Sequence, residues 1–193
     1  MLGYAFLRDQ IAILGSGDVG KTLTSAFLSE GYEVAVGTRD PTSTKITQWL
    51  QSISNNTRVH AATHADAAAF GEIVVVAGPT DIKATEEIVR SANAAGGLNG
   101  KVVIDLVNPV KVDQQTGEVT LYRAHEDMWV AGNNTAAKQT ASDIARQFGY
   151  VRVLDAGDIK ASKLLEAVGC LWIVHAIKNK HFTHAWSFVE LNQ

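Results

Sequence analysis

Eight residues near the N-terminus, GSGDVGKT, match two phosphate-binding patterns at once. Gly15, Gly17 and Gly20 form G-x-G-x-x-G, the pattern that binds the pyrophosphate of a dinucleotide. Gly15 and Gly20 with Lys21 and Thr22 also form G-x-x-x-x-G-K-T, the P-loop of ATP- and GTP-using proteins. Both patterns bind phosphate through backbone N–H groups at the start of a helix. The stretch alone therefore leaves both interpretations open.

The dinucleotide interpretation requires a second strand whose tip meets the adenine ribose about 20 residues later. The apolar run EVAVG is followed by Thr38 and Arg39, which come 18 and 19 residues after Gly20. A hydroxyl and a planar guanidinium suit a 2′-phosphate, which favours NADP over NAD. Asp40, one position later, is an acidic residue of the kind that binds the ribose hydroxyls of NAD, and it favours NAD instead. The spacing favours the dinucleotide interpretation, with NADP as the expected cofactor.

The P-loop interpretation makes different demands. Lys21 would have to turn back onto the β- and γ-phosphates, and an acidic residue at another strand end would have to help hold magnesium. Asp105 in VVIDL meets the second demand. No arginine-rich lid or base-reading motif accompanies it. A P-loop phosphotransferase remains as an alternative.

Apolar runs alternate with helical patterns along most of the chain, which predicts an α/β fold with a doubly wound, mostly parallel sheet of the Rossmann type and a C-terminal helix. Runs without polar alternation are typical of strands buried on both faces. We expect a cofactor-binding domain over residues 10–155, and a C-terminal helix and tail over residues 156–193 that packs or dimerises. The expected strands begin near residues 11, 33, 58, 72, 101, 128 and 150, and the expected helices include residues 18–30, 44–53, 81–94 and 158–177.

The composition excludes several classes of function. The formal net charge of −3 gives no basic field for nucleic acid, and no apolar run is long enough to span a bilayer. A single cysteine, Cys170, allows no disulfide within the chain, which fits a cytoplasmic location. His181 and His184 lie three residues apart without an acidic or cysteine partner nearby, so no metal site is expected.

The sequence resembles the F420-dependent NADP oxidoreductases. The resemblance is carried by IAILGSGDVGKTLTSAFLSEGYEVAVGTRDP, by VVVAGP and VVIDLVNP, and by MWVAGNNTAAKQTASDIARQFGY, VLDAGDIKASKLLE and LWIVHAIK. It implies a homodimer formed through the C-terminal helix. It also implies four groups of cofactor-binding residues. The pyrophosphate would contact Gly15, Ser16, Gly17, Asp18, Val19 and Gly20, and the 2′-phosphate would contact Thr38 and Arg39. Ala77, Gly78 and Pro79 would border the cofactor, and Asn108 and Pro109 would lie near the nicotinamide.

The expected function is hydride transfer between NADP(H) and a deazaflavin such as F420, a flavin or another small electron acceptor. Transfer between two rings needs little acid–base help, so the scarcity of candidate catalytic residues fits it. His125 is a weak candidate for a proton donor, and no catalytic residue is named. Residues 110–127 replace a longer substrate-side segment found in relatives. A non-catalytic NADP(H)-binding or sensing module is therefore the second hypothesis.

Overall fold

A computed structural model describes residues 10–53, 57–79, 81–94, 96–106 and 127–180. Its contacts divide the chain into two compact units, Met1–Leu121 and Tyr122–Gln193. Within the described residues, none of the helices combines the length and apolar character needed to cross a membrane.

The first unit is built on a five-stranded parallel sheet with strand order β3-β2-β1-β4-β5. In this order the first three strands follow one another outward from β1 on one side, and β4 and β5 lie on the other side of β1. The Rossmann fold has the same order, which confirms the predicted fold class. The strands are β1 (Gln10–Leu14), β2 (Glu33–Gly37), β3 (Val59–Ala62), β4 (Ile73–Val76) and β5 (Val102–Asp105), and the helices are α1 (Asp18–Ser29), α2 (Thr44–Ser52), α3 (His64–Phe70) and α4 (Ile82–Asn93).

Helices cover both faces of this sheet because its central strands are apolar on both sides. On one face, Ala12 and Leu14 of β1 pack in a core with Ala67 and Ala68 of α3 and with Ala92 of α4. On the other face lies Ile13, whose Cγ2 is 3.6 Å from the point where a Cβ on Gly20 of α1 would stand. The small alanines let α3 and α4 approach the sheet closely, which fixes the strand ends that carry the candidate site.

The second unit contains β6 (Asp127–Val130), α5 (Thr135–Gln147), β7 (Arg152–Asp155) and α6 (Ser162–Asn179). β6 and β7 pair in parallel as a two-stranded sheet of their own, whereas the sequence analysis placed all strands in one sheet. Apolar patterning predicts that a segment is a strand but not which strand it pairs with. These elements belong to the second compact unit, and the predicted domain boundary after residue 155 stays a prediction.

Two predicted elements have different ends in the structure. The apolar run EIVVVAGP predicts a strand over residues 72–79, but the strand stops at Val76, because Gly78 and Pro79 follow and proline has no N–H to continue the ladder. The helix expected over residues 158–177 begins instead with a 3₁₀ turn, Ile159–Ala161, which Asp158 caps by accepting from the N–H of Lys160 over 2.9 Å.

Candidate dinucleotide-binding site

The loop between β1 and α1 is three residues long and begins with Gly15, a position where no residue with a side chain fits. Gly15 has φ +135°, a conformation that side-chain-bearing residues rarely adopt. Its N–H donates to the carbonyl of Gly37 over 3.0 Å. A Cβ added to Gly15 would stand 2.1 Å from the carbonyl oxygen of Ala77. Gly15 is therefore the point where the carboxyl ends of β1, β2 and β4 meet.

The other two glycines of the motif differ in what surrounds them. A Cβ on Gly20 would stand 2.0 Å from the carbonyl oxygen of Gly15, so Gly20 lets α1 pack directly against the loop. Gly17 is exposed, and a Cβ there would meet no atom within 4 Å. The space in front of Gly17 is open to a bound group.

The start of α1 has the properties of an anion-binding helix terminus. Gly17 is its N-cap residue and supplies no side-chain cap to the first N–H groups of the helix. Those groups carry the positive end of the helix dipole, and a phosphate can accept from them. Asp18 and Val19, the first two helical residues, are both exposed at this terminus.

The turn after β2 is joined to the glycine loop by side chains. The hydroxyl of Ser16 donates to the hydroxyl of Thr38 over 3.3 Å, and the N–H of Thr38 donates to the carbonyl of Ala62 over 2.9 Å. Arg39 follows and is exposed. The structure thus brings the predicted residues of this turn beside the predicted pyrophosphate loop.

The carboxylate of Asp40 is occupied within its own turn. Its Oδ1 accepts from the hydroxyl of Thr42 over 2.7 Å and from the N–H of Thr42 over 3.0 Å. These two bonds, the hydroxyl bond first, lower the pKa of Asp40. Because Asp40 accepts from Thr42, its carboxylate is less available to bind ribose hydroxyls, and this favours a cofactor with a 2′-phosphate at Arg39.

His64 lies next to this turn and was not predicted as a site residue. It is the first residue of α3 and is only 7% exposed. Its Cδ2 is 3.3 Å from the point where a Cβ on Gly37 would stand. Burial lowers the pKa of His64, and the positive charge of Arg39 lowers it further. The sequence analysis did not predict this position, because the contact joins residues 27 apart in the chain.

The segment after β4 borders the glycine loop on its other side. The N–H of Ala77 donates to the carbonyl of Leu14 over 3.0 Å, which extends the pairing of β4 with β1 by one bond. A Cβ on Gly78 would stand 2.5 Å from Oγ1 of Thr85, whose hydroxyl donates to the carbonyl of Pro79 over 2.8 Å. The predicted residues Ala77, Gly78 and Pro79 are therefore held near the loop. Asn108, Pro109 and His125 lie outside the described residues.

The same geometry argues against a P-loop. In a P-loop the helix follows the whole glycine-rich segment, whereas here α1 already begins at Asp18. Nζ of Lys21 lies 5.6 Å from the centroid of the Trp49 ring on α2, so the ammonium group already has an aromatic partner. The hydroxyl of Thr22 donates to the carbonyl of Asp18 over 2.8 Å, so it is bonded within the helix. Across the described ranges, no three His, Cys, Asp or Glu side chains cluster as a metal site.

Comparison with known proteins places the chain in a family. The family model described as "NADP oxidoreductase coenzyme F420-dependent" matches residues 10–109. The F420-dependent NADP reductase of Methanothermobacter thermautotrophicus is 29% identical over 81% of this chain and 64% of its own length. The metalloreductase STEAP2 of Mus musculus is 24% identical over 93% of this chain and 41% of its own length. The chain thus spans less than two thirds of the length of these relatives.

Solved structures give the same result for the fold. A candidate F420-dependent NADP reductase from Arthrobacter sp. FB24 superimposes with a TM-score of 0.80 at 25% identity, covering 94% of this chain and 100% of the other. An imine reductase from Myxococcus stipitatus, solved with NAD⁺, superimposes with a TM-score of 0.63 at 16% identity over 90% of this chain and 63% of its own. Since the family model covers more than half of the sequence, the chain belongs to the F420-dependent NADP oxidoreductase family.

Proposed function

We propose that this protein is an NADP(H)-dependent oxidoreductase that transfers hydride between the nicotinamide and a deazaflavin, a flavin or another small electron acceptor. One observation carries the proposal. The glycine loop, with its open position at Gly17, stands beside a turn that presents Thr38 and Arg39 while Asp40 is held by Thr42. This combination suits a dinucleotide that carries a 2′-phosphate. Membership of the family supports the oxidoreductase chemistry.

Each described residue of the site has a proposed task in holding the cofactor. The N–H groups of Asp18, Val19 and Gly20 at the start of α1 bind the pyrophosphate, which approaches over Gly17. Arg39 pairs with the 2′-phosphate, and the hydroxyls of Ser16 and Thr38 hydrogen-bond around it. Ala77, Gly78 and Pro79 form the wall on the β4 side. NADP(H) supplies the hydride when bound, and this chain supplies position and charge complementarity.

The acceptor side of the site is proposed from chemistry. Hydride transfer to a flavin-like ring requires two rings held at contact distance and little proton transfer by the protein. We therefore assign no general acid or base. Asn108 and Pro109 are proposed to lie near the nicotinamide. The Arthrobacter protein, which aligns along its full length, and the Methanothermobacter reductase are the relatives that make F420 the first acceptor to test.

A homodimer formed through α6 is part of this proposal. α6 is apolar around most of its circumference, yet Leu164, Leu171 and Val174 are 70%, 56% and 61% exposed. Apolar side chains in such a number are usually covered by protein. A second copy of α6 would cover them without requiring any other partner.

A non-catalytic NADP(H)-binding module is the second candidate function. The observation that favours it is chemical: the described part of the site contains glycine, proline, hydroxyl and guanidinium groups that hold a cofactor, and His64 is its only imidazole. Tight NADPH binding together with no turnover of any acceptor would favour this candidate.

The experiment that tests the proposal is a side-by-side titration of purified protein with NADPH, NADH and Mg-ATP, repeated on Arg39→Ala. We expect NADPH to bind at least tenfold more tightly than NADH, and Arg39→Ala to remove most of the difference. Failure of folded protein to bind NADPH would overturn the proposal. An anaerobic screen of F420, FMN, FAD and ferric chelates, followed by NADPH absorbance, then separates the oxidoreductase from the binding module.

A further inference from the structure

His64 is one of the few buried polar side chains among the residues that the structure describes. Three polar residues of the described chain are buried: Thr24, His64 and Ser142. The hydroxyls of Thr24 and Ser142 donate to the carbonyls of Gly20 and Lys138 over 2.8 and 2.7 Å. For His64, no hydrogen-bond partner is found within the residues that the structure describes. Since buried polar groups in proteins are almost always bonded, this imidazole is suited to a partner that arrives with a ligand.

The surroundings of His64 place it at the 2′-phosphate end of the proposed cofactor site. Its Cδ2 packs against Gly37, with 3.3 Å to the point where a Cβ would stand. Gly37 immediately precedes Thr38 and Arg39. The bond from the N–H of Thr38 to the carbonyl of Ala62 ties that turn to the end of β3, from which α3 starts two residues later. His64 and Arg39 therefore both lie in segments that follow the carboxyl ends of the neighbouring strands β2 and β3.

The charged groups around His64 influence whether its imidazole carries a proton. Burial lowers the pKa of His64, and the positive charge of Arg39 lowers it further, so both favour the neutral ring. The carboxylates of the adjoining segments keep their negative charge and each accept a hydrogen bond from a hydroxyl: Asp66 accepts from Thr63 over 2.7 Å, and Asp40 accepts from Thr42. A phosphate dianion beside Arg39 would reverse the local field and favour a positive imidazole.

We propose that His64 is a further residue for the 2′-phosphate, beside Arg39, Ser16 and Thr38, and that it takes up a proton and donates a hydrogen bond to that group when NADP(H) binds. The inference rests on the proposed function, because it needs NADP(H) at Arg39. It adds a specificity-determining residue and makes the preference for NADPH over NADH stronger at lower pH. NADH lacks the 2′-phosphate and should cause no protonation of His64.

Calorimetric titration of wild type, His64→Gln and His60→Gln with NADPH and NADH tests this. Glutamine keeps a hydrogen-bond donor but cannot titrate. His60 is the matched control, because it is a neighbouring exposed histidine on β3 whose ring packs on Phe70 with 4.9 Å between centroids. We expect His64→Gln to weaken NADPH binding about tenfold at pH 6.5 and to change NADH binding less than twofold. His60→Gln should bind both cofactors as the wild type does.

Titration in two buffers of different ionisation enthalpy counts the protons. At pH 7.5 we expect net proton uptake on NADPH binding, none on NADH binding, and none for His64→Gln. The phosphate itself cannot supply this signal, because its second pKa is about 6 and pairing with Arg39 would release protons. If His64→Gln fails to fold, the wild-type proton count for NADPH against NADH decides alone.

The outcomes separate this inference from the proposed function. An Arg39-dependent preference for NADPH without proton uptake, and without any effect of His64→Gln, overturns the role of His64 and leaves the cofactor assignment standing. Failure of the wild type to bind NADPH overturns both. Equal weakening of NADPH and NADH by His64→Gln identifies a packing residue and overturns the inference as well.

Discussion

The hydroxyl of Ser16 donates to the hydroxyl of Thr38, 22 residues away, over 3.3 Å. Together with the bond from the N–H of Gly15 to the carbonyl of Gly37, it fixes the glycine loop against the turn after β2. The residues proposed to hold the pyrophosphate and those proposed to hold the 2′-phosphate are thus parts of one connected structure. A change in either segment should be felt by both phosphate groups of the cofactor.

The glycine loop offers a pair of substitutions that separate binding from folding. Gly17 has an ordinary φ of −75° and open space where a Cβ would stand, so Gly17→Ala should lower the free energy of unfolding by no more than about 1 kcal/mol, the cost of alanine in place of glycine at a helix N-cap. The new methyl group would occupy the approach to the helix terminus, and we expect NADPH affinity to fall at least tenfold. Chemical denaturation and NADPH titration measure the two effects.

Gly20→Ala is the matched control and should behave in the opposite way. Its Cβ would stand 2.0 Å from a backbone oxygen that cannot rotate away, so α1 must shift from the loop. We expect the free energy of unfolding to fall by about 3 kcal/mol. Normal stability of Gly20→Ala, or unchanged NADPH affinity of Gly17→Ala, would contradict the loop geometry on which the site is built.

Lys21 distinguishes the two phosphate-binding interpretations directly. Its ammonium group lies over Trp49, a cation–π contact between two half-buried residues that is worth about 1 kcal/mol. We expect Lys21→Met to lower the free energy of unfolding by no more than that amount and to leave the NADPH dissociation constant within twofold of wild type. Fluorescence titration with NADPH and with Mg-ATP measures this. Loss of all nucleotide binding in Lys21→Met would restore the P-loop interpretation.

The sequence predicted those parts of the site that depend on residue type at fixed spacing. Gly15 and Gly20 were predicted because a tight strand-to-helix turn tolerates no side chain at either position. The apolar runs of β1 and β4 likewise revealed strands buried on both faces. Patterns of this kind depend only on residues that are close together in the chain, so they can be recognised before the fold is known.

The remaining features depend on contacts between distant segments. The approach of His64 to Gly37 and of Lys21 to Trp49 exists only after the sheet and its helices have assembled. The pairing of β6 with β7 apart from the main sheet has the same cause, since their apolar patterns are compatible with either arrangement. The turn that binds Asp40 to Thr42 was local, but the sequence analysis considered Asp40 only as a ribose ligand.

Thr42 controls whether Asp40 competes for the ribose. The bond from its hydroxyl is the main cause of the lowered pKa of Asp40, so Thr42→Val should raise that pKa towards its ordinary value. Asp40 would then keep only the bond from the N–H of Thr42, and a less firmly held carboxylate can turn to accept from ribose hydroxyls. We expect the preference for NADPH over NADH to fall severalfold. Carboxyl-carbon NMR titration and cofactor titration measure these effects, and Thr42→Ser, which keeps the hydroxyl, should restore both.

The second unit contains an ion pair whose contribution depends on pH. Nζ of Lys138 lies 2.7 Å from Oδ2 of Asp155, and this bond is the first cause of the lowered pKa of that carboxylate. A lowered pKa stabilises the folded state above the unfolded pKa near 4, and the effect is lost as pH falls through the folded value. Lys138→Met should therefore lower the melting temperature at pH 7 and not at pH 2.5. An equal loss at both pH values would assign the effect to packing of the Lys138 stem against Gly132.

The exposed face of α6 gives the test of the proposed homodimer. Leu164, Val168 and Leu171 follow one another at intervals of four and three residues, so they share one side of the helix. A charge among them would have to be buried in a dimer, and we expect Leu171→Glu to change the mass in solution from twice the 20.7 kDa chain mass to a single chain. Light scattering after gel filtration measures the mass, with Lys45→Glu on exposed α2 as a control that should leave it unchanged. A wild type that is already monomeric at high concentration would show that α6 is not a dimer interface.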